Sequence, residues 1–418
     1  MKFSYLYRIL TLTLLIGILS CNQGAPPEEG KDQVPSDTVT EPAKTSGLTR
    51  DYQSKQVKGC DGGSGSAAAA KTALLANDFA TCNREASCAY NASVQGPGSQ
   101  GDPEAAFYGL LCKLALSVES PQMEQLAMEP LKASDYFGQV DGVTNLLKKF
   151  ELKMTENGLI TFHAYLETQA GLGRDVDAVF QTALDFVLEN FFDIHVLARR
   201  LANAPDFKAS IPIEFLGVDA SAAADLQDWS DLQMGFVDFW AMNALGIAEL
   251  FKIYQTGIDS LDSFTDVAQI AADMNADPKF LSLRSGHPDT ANFKSAFAAW
   301  SEAAVQAGGN FGTRWNSSTN QFDVPQWIRD SEMFPLNKQI EPFALGVLAA
   351  QLRRSLNNEL VWLSASDNEI AFNVGGILES LPDSATVPGS PIKYQMGGDF
   401  ELDGTFMKAL LGNNFAER

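Results

Sequence analysis

The chain is short of the groups on which most chemistry depends. Among 418 residues there are three histidines, His163, His195 and His287. No His-x-x-x-His or His-Glu-x-x-His occurs, so zinc bound on one helix face is excluded. No Gly-x-Ser-x-Gly marks a nucleophile elbow. The glycine-rich Gly62-Gly63-Ser64-Gly65-Ser66 follows no strand and lacks the lysine of a phosphate loop, which leaves it as a flexible joint. Basic residues are scarce as well. Lys and Arg number 30 against 52 acids, for a net charge of −22. Affinity for phosphate backbones comes from clustered cations, so nucleic acid is excluded as a partner. No apolar run reaches the length of about 20 residues that spans a bilayer as a helix. Glycine shows no three-residue period, which excludes collagen.

A hydrophobic share of 45% is enough to build a core, so the chain is not disordered throughout. Its first residues are of a different kind. Lys2 and Arg8 precede an apolar run from Ile9 to Leu19, which is the charged and apolar pattern of an export signal over residues 1–20. The run ends in Ile18-Leu19-Ser20-Cys21. That junction resembles the lipobox of bacterial lipoproteins. The resemblance implies that the chain is cut before Cys21, which carries lipid on its sulfur and on the new amino terminus. Several acyl chains on one residue anchor stably, at roughly 0.8 kcal/mol per buried methylene. Cleavage would remove two cations and no acid, deepening the net charge from −22 to −24. Asn22 in the following position is compatible with export to the outer membrane.

Residues 21–50 hold Pro26, Pro27, Pro35 and Pro42 and few aliphatics, the composition of a disordered tether. Residues 51–120 then carry Cys60, Cys82, Cys88 and Cys112. An even number in an exported chain implies two disulfides, and four cysteines allow three connectivities. The expected pairing is Cys82–Cys88, closing a short turn, with Cys60–Cys112 tying the leader to a helix. The spacings of a zinc ribbon are missing, so no metal is expected, and no cofactor. Helix formers run from Ala67 to Phe79. A second helical stretch follows, then the loop Gly96 to Gly101. Asp102-Pro103-Glu104 opens a third helix, with Asp102 as cap and Pro103 at the first helical position.

Beyond residue 120 the apolar residues fall at helical spacing. One face runs from Val176 through Phe180, Leu184, Val187, Leu188 and Phe191, and the segment continues to Leu201. A second runs from Trp229 through Leu232, Phe236, Trp240, Ile247 and Phe251 to Tyr254, with Asp225 and Asp228 at its start and Gly257 as the expected C-cap. Phe293, Phe297, Trp300 and Ala304 mark a third, and Ile340, Phe343, Val347 and Leu356 a fourth. Strands are expected at 210–216, 369–374 and 391–396. The fold class is therefore mainly α. A helical body over 121–418 carries a small β ribbon, and a helical hairpin module precedes it.

The candidates for chemistry all have plainer readings. His163 and His195 sit among apolar neighbours as core histidines, while His287 lies in an exposed turn. Paired carboxylates could act on a glycan, and the densest sets are Asp175/Asp177 and Asp399/Glu401/Asp403. The second set lacks the Glu at the twelfth position of a calcium loop. Aromatic stripes at helical spacing serve a core.

Three resemblances add to this reading. Leu75-Ala76-Asn77-Asp78-Phe79, followed by Pro103-Glu104-Ala105-Ala106-Phe107-Tyr108-Gly109-Leu110, resembles a degenerate tetratricopeptide repeat. A single hairpin is implied, because a solenoid needs about three repeats. The run Leu197 to Phe207, a long helix ending at Tyr254, and Ala276-Asp277-Pro278-Lys279-Phe280-Leu281-Ser282-Leu283-Arg284 together look like a group of bacterial envelope lipoproteins. That resemblance implies a compartment and a fold class and no reaction. The expected function is a non-enzymatic scaffold or binding module, lipid-anchored in the cell envelope with a protein or glycan partner. The alternative is a glycan-binding lipoprotein resembling the starch-utilisation binding family, with Trp315, Trp327 and Trp362 as the aromatics that could form a sugar platform.

Overall fold

The computed structural model describes residues 50–95, 99, 101–118, 175–204, 206–211, 228–255, 257–260, 273, 277, 282–284, 290–319, 321–323, 343–365, 368–379, 413 and 415–417. The export signal, Cys21 and the tether up to residue 49 lie outside these residues. So do His163, His287, Trp327, the strand expected at 391–396 and the acids Asp399, Glu401 and Asp403.

The fold is mainly α. The described residues form α1 (Ala67–Leu75), α2 (Phe79–Ser93), α3 (Pro103–Val118), α4 (Val176–Ala202), α5 (Asp231–Ile253), α6 (Thr290–Gly312), α7 (Phe343–Leu356) and the short α8 (Val374–Glu379). The strands are brief. β1 (Lys208–Ser210) pairs antiparallel with β2 (Asp228–Ser230), and β3 (Trp315–Asn316) pairs with β4 (Gln321–Phe322). A three-stranded antiparallel sheet joins β5 (Val361–Ala365), β6 (Asn368–Phe372) and β7 (Phe415–Glu417), with Val361 opposite Phe372 and Ile370 opposite Glu417.

Helices α1, α2, α4 and α5 start where the sequence can satisfy free amides. Ser66 caps α1 by accepting from the Ala69 amide, and Asp78 caps α2 by accepting from Thr81. Asp175 caps α4 through Ala178. Asp177 lies in its first turn and Arg199 and Arg200 in its last, so the charges suit both ends of the helix dipole. Ser230 and Gln233 form a reciprocal capping box on α5.

Four local expectations are corrected. The helix expected over 67–79 stops at Leu75. Asn77 turns left-handed at φ 58°, and the chain restarts as α2, because Asp78 is a better cap than a helix interior residue. The start of α5 belongs to Ser230 and Asp231, while Asp228 sits in β2 and Asp225 lies outside the described residues. Gly257 does not cap α5. The helix ends at Tyr254, whose extended backbone pairs with Leu283, and the amide of Gln255 donates to the Ser282 carbonyl. The glycine-rich joint is not loose along its whole length. A Cβ on Gly65 would stand 2.0 Å from the Glu85 carbonyl oxygen, so this glycine is pressed against α2.

α5 packs against α4 on one side and α6 on another, and α3 brings the N-terminal helices onto α4. By length and composition α5 could cross a membrane, but here it is a core helix with Gln233, Asp238, Asn243 and Glu249 all buried. One apolar cluster runs without interruption from Leu74, Phe79, Phe107 and Leu110 into Leu197, Leu201, Met234 and Ala241, so α1–α3 share a core with α4 and α5. A second joins Phe180, Leu188, Leu245 and Phe251 to Ala296, Ala299 and Ala303 of α6, and its members include Tyr52.

Candidate functional site

A dense polar assembly lies beneath a strap, residues 50–60, that is neither helix nor strand and turns once where the Ser54 amide donates to the Asp51 carbonyl at 2.8 Å. Tyr52 is fully buried in the strap and packs against Phe192 of α4. Its hydroxyl donates to Glu249 of α5 at 2.6 Å, and the Arg50 guanidinium reaches the same carboxylate oxygen at 3.2 Å. The Arg50 amide donates to Asn292 of α6 at 2.9 Å. Further along, Asn91 of α2 accepts from the Val57 amide and donates to the Val57 carbonyl, imitating a strand partner. The Lys58 amide donates to both oxygens of Asp193, and the Lys58 carbonyl accepts from Lys113 of α3. The strap is thus held by side chains of five helices.

Two buried polar pairs lie under it. Lys113 and Asp193 meet at 2.7 Å, both nearly closed to solvent. Burial holds the Lys113 ammonium below the usual lysine range, and the Asp193 charge opposes that shift. His195 Nδ1 lies 2.5 Å from Asp238, and its Nε2 lies 3.2 Å from the Tyr52 carbonyl. A carbonyl only accepts, so Nε2 is the donor to Tyr52. The second oxygen of Asp238 is buried with no hydrogen-bond partner among the described residues. Burial, together with the Glu249 charge, pushes the Tyr52 hydroxyl far above the ordinary tyrosine value of 10.0. Burial also pushes Tyr90 up to about 12.

His195 is therefore the core histidine expected from its neighbours. Its two ring nitrogens are engaged, and it is fully buried. Tyr52, Lys113, Asp193, Asp238 and Glu249 were not foreseen as a group. The signal for three of them is an acid set between apolar residues on a helix: Phe192-Asp193-Ile194, Val237-Asp238-Phe239 and Ala248-Glu249-Leu250. Such acids end up buried and must find partners.

The four cysteines do form two disulfides, but the expected pairing is wrong. Cys60 bonds Cys88 and Cys82 bonds Cys112, with Cα separations of 4.8 and 5.9 Å. The physical reason lies in α2. Cys82 and Cys88 stand six residues apart on one helix and point to different sides of it. One therefore meets α3, and the other meets the end of the strap.

The carboxylates Asp175 and Asp177 are both engaged in the fold. Asp175 caps α4, and Asp177 makes two bonds to the Arg284 guanidinium at 2.6 and 2.7 Å. Trp362 is half-buried on β5, and Trp315 lies in β3. A different aromatic series does occur: Phe293, Phe297, Trp300, Phe239 and Trp240 are half-buried, with successive ring centroids 5.3–6.2 Å apart across α5 and α6. Trp300 donates its indole hydrogen to Asn243 at 2.7 Å. Among the described residues, no group of three or more His, Cys, Asp or Glu side chains is placed to hold a metal ion. No protein-family model, no curated protein and no solved structure matches the chain.

Proposed function

We propose that the chain is a lipid-anchored protein of the bacterial cell envelope, acting as a non-enzymatic scaffold or binding module. The observation that carries this reading is the junction Ile18-Leu19-Ser20-Cys21 behind a charged start and a short apolar run. The tether that follows has the composition of a spacer, and Arg50 at its end is fastened to α5 and α6. The scaffold reading is supported by the use made of the buried polar groups. Lys113, Asp193, Asp238, His195 and Glu249 fix the strap or one another and so hold the chain together. The acidic surface favours a body held off anionic lipid.

Intact-mass measurement of the mature protein tests the anchor. The expected species begins at Cys21 with added acyl mass and fractionates with membranes, while Cys21→Ala is found as soluble or unprocessed material. A mature terminus elsewhere, or no acyl mass, overturns the reading.

The glycan-binding alternative draws on the half-buried aromatics of α5 and α6. Their ring planes are tilted by 35–72°, so they offer separate edges and faces to a ligand and no single flat platform. Quenching of tryptophan fluorescence by neutral oligosaccharides, lost in Trp300→Ala, would favour this alternative over the scaffold.

A further inference from the structure

We infer that the strap is a mechanical clasp of limited travel between the N-terminal tether and the helical bundle, released by pulling and stopped by a disulfide. The source of the load rests on the anchor reading above; the clasp itself rests on geometry. A pull applied ahead of Arg50 enters the folded part at that residue. The first bonds it meets are non-covalent: Arg50 to Asn292 and Glu249, Tyr52 to Glu249, and the His195 ring to the Tyr52 carbonyl. The next are those of Val57 to Asn91 and of Lys58 to Asp193 and Lys113. These bonds follow one another along residues 50–58, which turn once where the Ser54 amide donates to the Asp51 carbonyl, so a pull loads them in order from Arg50 toward Lys58. Then the path changes character. Cys60 is covalently tied to Cys88 in α2, and α2 is tied through Cys82 to Cys112 in α3. Force passes from Cys60 directly into α2, and residues 61–87 are bypassed.

Ten residues, 50–59, are therefore free to peel, and their extended length is at most about 35 Å. Gly59, in a left-handed conformation at φ +100°, sits at the boundary where peeling would end. Peeling withdraws Tyr52 from the second apolar cluster and leaves Glu249 and His195 without their strap partners, which opposes release and drives the strap back when the load falls.

The test uses single-molecule pulling of the full chain, with one handle at the N-terminus and the other on exposed Ala80 of α2. The expected record is a discrete release of no more than about 35 Å, reversible on relaxation. It is followed by a stop that persists until a reductant cleaves Cys60–Cys88. The step moves to lower force in Tyr52→Phe combined with Glu249→Gln, where the bonds of Val57 and Lys58 remain. It also moves to lower force in Arg50→Gln, a change outside the apolar core. A first release longer than the strap, no discrete release, or the same force in both variants overturns the inference. Loss of acyl mass at Cys21 with the step intact would sink the anchor reading alone.

Discussion

Tyr52 and Glu249 stand 197 positions apart in the chain and are joined by a buried hydrogen bond of 2.6 Å. The bond is made to a carboxylate, and such bonds contribute about 1.5–3 kcal/mol. Tyr52→Phe keeps the ring packed on Phe192 and removes only the donor. Its expected cost is about 2 kcal/mol, read as a lower denaturant midpoint with an unchanged slope. A loss near zero would mean that the phenol hydrogen is not needed to hold Glu249.

The same phenol sets a behaviour in alkali. Burial raises Tyr52 and Tyr90 above their unfolded value of 10.0, the second to about 12. Both groups stay protonated in the folded chain at pH values where the unfolded chain has ionised them. Their contribution is therefore complete below pH 10 and is lost as pH rises through the folded values. Stability measured against pH should fall above pH 10, and Tyr52→Phe should flatten that fall. An equally steep fall in the variant would assign the effect to other groups.

Lys113 and Asp193 are coupled in a way that single and double changes separate. Asp193→Ala strands a buried ammonium and releases the Lys58 amide, with an expected loss of about 3–5 kcal/mol. Lys113→Met combined with Asp193→Leu removes both charges together and should cost clearly less than the two single changes added. Additive losses in a double-mutant cycle would show that the pair is not coupled.

The two glycines on either side of Ser64 give a paired test of packing. Gly65→Ala drives a methyl into the Glu85 carbonyl and should cost about 1–3 kcal/mol. Gly63→Ala meets nothing within 4 Å and should be neutral or stabilise by up to about 1 kcal/mol. Thermal midpoints of the two variants decide it, and equal shifts would contradict the close approach at Gly65.

Peptide mapping without reduction should recover Cys60–Cys88 and Cys82–Cys112. Replacing Cys60 and Cys88 by Ser opens a closure of 28 residues, which in the chain-entropy account is worth about 3–4 kcal/mol. Recovery of Cys82–Cys88 would overturn the connectivity.

The helices were legible because their information is local. The faces from Val176 to Leu201 and from Leu232 to Phe251, the Asp175 cap and the Asp102-Pro103 start each depend on neighbours within a turn or two. The strap was not legible, since Tyr52 meets residues 143 and 197 positions away and nothing near it in sequence announces them. The cysteine pairing failed for a related reason. Proximity in sequence favoured Cys82 with Cys88, whereas their directions on α2 send them to different partners. Gly257 was assigned to the end of α5 by residue type. The backbone bridge from Tyr254 to Leu283 ended the helix first.

The order of the two disulfides along the chain, first cysteine with third and second with fourth, bears on resistance to proteolysis. A protease that cuts once between Cys60 and Cys112 yields halves that stay attached. Two cuts, one before Cys82 and one after Cys88, still free no fragment, because the excised middle piece is held by one bond at each end. A nested arrangement would have let that piece drift away.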